Sequence, residues 1–363
     1  MSNYAEISRA QLADLVPELL LSGQLIDRSG MAWCISAFGR EEMAQIAIEE
    51  WMGASPIYTQ RMQRALGYEG DDVITIFKGL QLDIGAPPQF MDFRYTVHDR
   101  YAGEFHLDHC GALMDVEPMG PDYVRAMCHD IEDPTFDATA VATNPRAQIR
   151  PIHRPPRTPA DRHPHCAWTV IISPDHAEVS ESADCTALRQ SRAANLELQP
   201  IDLTDDGVRD YSGPLLSDLD FSAFSHSALV RIADEVALQS HLLNLSFRRA
   251  LARRGDDGTI AEKQLVGWAG VTAERLHRRF PFAYATEIRR LHPLFNPAAY
   301  VDSGAAAADG GWHDLDLTRA EAAIAQAVDE PAAPAYDEVV VTRFSTGAAF
   351  EFEHRRSLPL HVL

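Results

Sequence analysis

Apolar residues recur at helical spacing over residues 8 to 80. The pattern is clearest after Glu41, where Met43, Ile46, Ala47 and Trp51 fall on one face of a helix. Glu41, Glu42, Glu49 and Glu50 accompany them. Without a Glu-x-x-His partner these acids read as a solvated face rather than a di-iron ligand set. From 90 to 109 the period changes to two. Phe93, Tyr95 and Val97 alternate, Asp-Arg-Tyr-Ala-Gly makes a turn, and Phe105 and Leu107 alternate again, which predicts a β-hairpin. A turn at 117–121 leads into a short helix with Val124, Met127, Cys128 and Ile131 on its apolar side.

Two more strands are expected at 147–153 and 165–172, the second burying Cys166, Trp168, Val170 and Ile172. Between them RPIHRPPRTPADRHPH is too proline-rich for a helix. Residues 195–222 are acidic and irregular, so a boundary is placed there: a helical lead-in plus Cys/His-rich α+β region at 1–195, and a second α+β region at 196–363. The second opens with a helix at 226–254, with Leu229, Ile232, Val236, Leu243 and Phe247 in phase. This stripe reads as internal core rather than an oligomer surface, and a homodimer stays open. A helix near 260–279, another inside the Ala/Gly/Asp-rich stretch 303–335 (about 318–328) and a terminal hairpin follow. The expected class is α+β, an antiparallel sheet with covering helices. The order of elements hints at two similarly organised halves, without a residue-level repeat.

Composition narrows the partners. Over 363 residues, 53 acids against 32 bases leave a net charge of −21, the wrong sign for nucleic acid or an anionic membrane. No run of apolar residues is long enough to cross a bilayer, and the N-terminus lacks a signal-peptide pattern. Five cysteines, an odd and sparse set, read as reduced thiols, so cytoplasmic residence is expected.

Candidate chemistry concentrates between 98 and 176, which holds eight of the fifteen histidines and three histidine-flanked cysteines: Cys110, Cys128 and Cys166. Imidazole and thiolate bind metals and also do nucleophilic and acid–base work near neutrality. Metal-binding spacings such as Cys-x-x-Cys are missing. A divalent metal (Zn, Mn or Fe) held by some of His106, His109, Cys110, His129 and His165 is one expectation; core packing is the other. Cys128 and Glu132 share a helix face. Arg146, Arg150, Arg154, Arg157 and Arg162 stand out in an acidic chain, and either hold a small anion or pair with nearby acids.

The segments EFHLDHCGAL, MCHDIEDPTF, AQIRPIHRPP and HCAWTVII, in this order, resemble the bacterial family named after L-2-amino-thiazoline-4-carboxylic acid hydrolase, similar in plan to small-molecule-binding vinyl-reductase domains. The likeness covers about residues 30–175, with markers at Cys110, Cys128, Asp130 and Cys166. It implies a hydrolase that opens a cyclic amidine-like C–N bond in a small anionic ring compound. A polarised water or the Cys128 thiolate would attack; His129 with Asp130 or Glu132 would move protons. Arg150, Arg154 and Trp168 are the candidate substrate contacts. The alternatives are an iron-dependent oxygenase or lyase, and a small-molecule sensor without catalysis.

Overall fold

A computed structural model describes residues 2–281 and 283–329, together with the backbone of two short strands at 340–342 and 351–353. Two long helices open the chain. α1 (Arg9–Phe38) starts at a Ser8–Gln11 capping box. Gly39 ends it at φ +83°, a left-handed turn open to glycine, and α2 (Arg40–Ala65) begins at the next residue. Pro56 inside α2 cannot donate to the carbonyl of Met52, and the Ser182 hydroxyl donates to that carbonyl instead (3.3 Å). After α3 (Val73–Leu80) come β1 (Met91–Val97), β2 (Ala102–Cys110), α4 (Gly111–Val116) and α5 (Pro121–Arg125). A π-turn over Ala126–Ile131 joins α5 to α6 (Glu132–Val141).

β3 (Ala147–His153) and β4 (Cys166–Ile172) complete an antiparallel sheet in the order β1-β2-β4-β3. Register shifts interrupt both outer strands, at Met91/Phe93 in β1 and Pro151/His153 in β3. The buried face follows the predicted alternation. Phe136 of α6 packs on Phe105 (5.3 Å between centroids) and Trp168 (5.0 Å), and Phe105 on Phe93 (5.2 Å).

After α7 (Ala183–Leu188) the irregular stretch leads to α8 (His226–Ala252), α9 (Thr259–Arg279), α10 (Ala285–Leu291), the single turns α11 (Ala298–Val301) and α12 (Ala305–Ala308), and α13 (Thr318–Asp329). The fold is α+β. One apolar core joins residues on both sides of 195, from Leu12 and Leu15 through Trp168 to Leu229, Trp268 and Ile324. Strands Val340–Thr342 and Glu351–Glu353 pair antiparallel; the rest of the predicted terminal hairpin lies outside the described residues. Among the described residues no helix is long and apolar enough to cross a membrane.

The single stripe expected on α8 is too narrow. Every residue from Ile232 to Phe247 is buried, because α1, α2 and the 292–296 segment pack around it. Most of its polar side chains are therefore matched to partners from other segments. Asp234 accepts from Ser2 (3.0 Å) and Gln239 donates to the Leu82 carbonyl (3.0 Å). Asn244 donates to Gln264 of α9 (3.0 Å), and Ser246 to the Glu49 carbonyl (3.0 Å). His241 Nε2 faces two carbonyls, Pro293 (3.1 Å) and Asn296 (2.8 Å), so it carries the proton. Glu235 takes a two-pronged ion pair from Arg61 of α2 (2.9 and 3.1 Å) and a second arginine, Arg231 (2.9 Å). One expectation needs correcting: Glu50, read as part of a solvated face, is fully buried, because α2 is covered on that side by α1 and α8.

Arg61 is nearly enclosed, and without Glu235 its guanidinium keeps only the Ala194 carbonyl. Glu235→Ala is therefore expected to cost about 3–5 kcal/mol in urea unfolding, whereas Arg231→Ala, on the more exposed side of the same carboxylate, costs about 1 kcal/mol. Equal losses would refute the central role of the Arg61 pair.

Candidate functional site

The expected Cys/His cluster forms in part. Cys110 ends β2 and caps α4, its sulfur accepting from the Leu113 amide (3.4 Å). Cys166 starts β4 opposite Leu107 of β2. Cys128 sits in the π-turn between α5 and α6. All three thiols and the Glu132 carboxyl are buried and close enough to influence one another. Burial, reinforced by Glu132, pushes the Cys110, Cys128 and Cys166 thiols well above their ordinary value, so they are held as neutral thiols. Burial also lifts Glu132 to about 8, with Arg154 opposing, so this acid is protonated at neutral pH.

The other candidates turn elsewhere. His129, next to Cys128, is bonded through Nε2 to the Pro155 carbonyl (2.7 Å), and Asp130 is exposed. His106 lies on the outer face of β2 beside Asp108 (3.4 Å), while His109 and His165 are buried with ring centroids 6.0 Å apart. The five expected metal ligands thus split between the two faces of the sheet and the π-turn. Among the described residues no three His, Cys, Asp or Glu side chains are grouped as a metal site. Trp168, expected to touch substrate, is wholly enclosed by Phe105 and Phe136.

The arginine run pairs inwardly. Arg150 holds Asp137 (2.8 Å), Arg154 holds Asp133, Arg157 grips Glu117 through two bonds (2.9 and 2.7 Å), and Arg146 holds Glu178 (3.0 Å). These four are committed to acids, one of the two alternatives left open by the sequence; Arg162, the fifth of the run, is exposed. With Arg157 and His129 these contacts tie the proline-rich loop against α4–α6.

A hollow beside this cluster was missed by sequence reasoning. A cleft of about 450 Å³ opens between α1, α9, α13 and the segment carrying Val116, Met119, Tyr123 and Met127. It is mostly apolar. Four of the nine methionines line it (Met31, Met43, Met119 and Met127), and such flexible side chains adapt to varied shapes. Met127 faces the cleft while its neighbour Cys128 turns into the core.

The polar edge of the cleft is built on α1. Arg28 pairs with Asp115 of the cleft wall (2.6 Å) and lies over the Phe90 ring (5.0 Å). Asp27 is 6% exposed and accepts from the Trp51 indole (3.0 Å). Burial lifts its carboxyl to about 6, with Trp51 and Arg28 pulling it down and Asp115 pushing it up. An acid poised there exchanges protons near neutrality. Nothing in the periodicity marks Asp27: it follows an uncharged stretch, LLLSGQLI, and that contrast was the available signal.

The chain matches no family model, no curated protein and no solved structure. The likeness to ring-opening hydrolases accordingly rests on the residues quoted for it.

Four buried acids share one property. Asp27 and Asp83 are lifted to about 6, Asp234 to about 7 and Glu132 to about 8, each chiefly by burial. The folded values lie above the unfolded ones, so folding favours the protonated acids. Their stabilising contribution is full below about pH 4 and fades as pH rises through 6 to 8. Thermal unfolding should therefore occur at higher temperature at pH 5.5 than at pH 8; a midpoint that rises across that range would contradict the burial of these groups.

Proposed function

We propose that the chain is a small-molecule-binding protein and that its ligand sits in the cleft between α1, α9 and α13. One observation carries this reading: a hollow of about 450 Å³, apolar over most of its wall, with a few charged groups placed at one edge by α1. That is the size and make-up of a small-ligand site. The apolar wall supplies affinity through burial, and Asp27 with the Arg28–Asp115 pair supplies orientation.

Filling the cleft tests this directly. Val271 of α9 lines it and is half-buried. Nile red, a neutral apolar dye, should bind saturably to the native protein, and Val271→Trp should weaken that binding at least ~10-fold by occupying the space. Leu203→Trp, at an exposed position, should leave it unchanged. Unsaturable binding, or equal binding to native protein and Val271→Trp, would remove the reading.

A second reading, the hydrolase of a cyclic C–N bond, has its own support. The π-turn holds the buried Cys128 thiol beside a carboxylic acid protonated at neutral pH, and π-turns recur at functional sites. There the Cys128 thiol, giving up its proton, would add to the ring carbon as the C–N bond breaks and Glu132 protonates the departing nitrogen; water would then hydrolyse the adduct and restore thiol and acid. With 2-amino-thiazoline-4-carboxylate as probe, Cys128→Ser and Glu132→Gln should each lower ring opening at least ~100-fold. Native rates in both variants, or no ring opening by the native protein, would end this second reading.

A further inference from the structure

Among the described residues, the charges around the cleft do not balance: Asp27, Asp115 and Glu274 are its carboxylates, and Arg28 is the guanidinium beside them. Arg28 is committed to Asp115 at 2.6 Å and Glu274 is paired with Arg278, one turn further along α9. Asp27 is left with one neutral donor, the Trp51 indole. Behind it, Glu50 of α2 is fully buried and neither of its oxygens meets a hydrogen-bond donor. The neighbourhood of Asp27 is thus rich in acceptors, in a wall that is otherwise apolar.

We propose that the cleft selects cationic amphiphiles: molecules with an apolar body and one protonated amine, the ammonium pairing with Asp27. This rests on the cleft being a ligand site. An ammonium offers up to three donors to a site short of them, and in a partly dry cleft an opposite charge is worth more than in water. An anion would face Asp27, Asp115 and Glu274 and a guanidinium already taken. The strongly negative chain adds to the effect by drawing cations toward it.

Several groups bear on the ionisation of Asp27. Arg28 and Cys34 share α1 with it. Glu50 and Tyr58 approach from α2, beside the Trp51 donor, and Asp115 from α4. Glu274 of α9 lines the same cleft. Burial raises the Glu50 carboxyl, the Tyr58 hydroxyl and the Cys34 thiol above their ordinary values. Asp27, lifted to about 6 by burial, loses its charge as pH falls from 7.5 to 5.

Isothermal titration with three probes of one shape tests the inference: 4-phenylbutylamine, 4-phenylbutanol and 4-phenylbutyrate. At pH 7.5 the amine should bind at least ~10-fold tighter than the alcohol, and the carboxylate weakest. Asp27→Asn keeps an acceptor for Trp51 and should bring amine and alcohol within about twofold, both still bound. Lowering the pH of the native protein to 5 should weaken the amine about tenfold and spare the alcohol, since a carboxyl with a pKa of about 6 is then mostly neutral; this arm needs no variant. Equal binding of amine and alcohol, or a preference that survives both Asp27→Asn and pH 5, would overturn the ammonium contact while leaving the cleft as a ligand site. Failure of all three probes to bind would overturn both.

Discussion

The structure depends on α8, a helix enclosed on all sides that nonetheless carries charged and polar side chains. An apolar helix in that position could rotate or slide at modest cost, since one hydrophobic contact replaces another. α8 cannot. Glu235 answers Arg61 of α2, Gln239 the turn after α3, His241 the segment before α11, Asn244 the glutamine of α9, and Asp234 the N-terminus. Each buried polar group costs free energy if its partner moves away. The helix is thereby fixed in rotation and in register, and it fixes the five segments around it. The cleft inherits this order, because two of its walls, α1 and α9, pack on the same assembly.

The sequence showed the elements more readily than their relations. The period of two placed β1, β2 and β4 to within a residue or two, since one face of each strand is buried and the other wet. The period of 3.6 placed α8 and α9, but promised α8 one apolar stripe. Its second covered face is made of Asp234, Glu235, Gln239 and Asn244, which look solvated until partners from distant segments are known. Glu50 was misread for the same reason. Pattern records what a residue is; burial depends on what lies across from it.

For the site the same limit operates at shorter range. Cysteines 110, 128 and 166 were expected to come together, and they do, around Glu132. Of the histidines, His109 and His165 come together on the buried side, while His106 faces outward from β2 and His129 reaches from the π-turn to the Pro155 carbonyl, so the five candidate ligands do not meet at one point. The arginine run could be read either as an anion site or as internal pairing. Which one holds depends on Asp133, Asp137, Glu117 and Glu178, and the fold alone brings these within reach. The cleft left almost no trace in the sequence, because its wall is assembled from single residues of many segments, none unusual alone except Asp27.

The two outer strands of the sheet have a further consequence. Each is interrupted by a register shift, and each bears an obstacle to another backbone: Pro151, which lacks an amide proton, beside Arg150 in β3, and the Asp92–Arg94 pair in β1. A strand from another chain would find a broken, charged ladder at either side. Both edges of the four-stranded sheet are thus guarded against growth by strand addition.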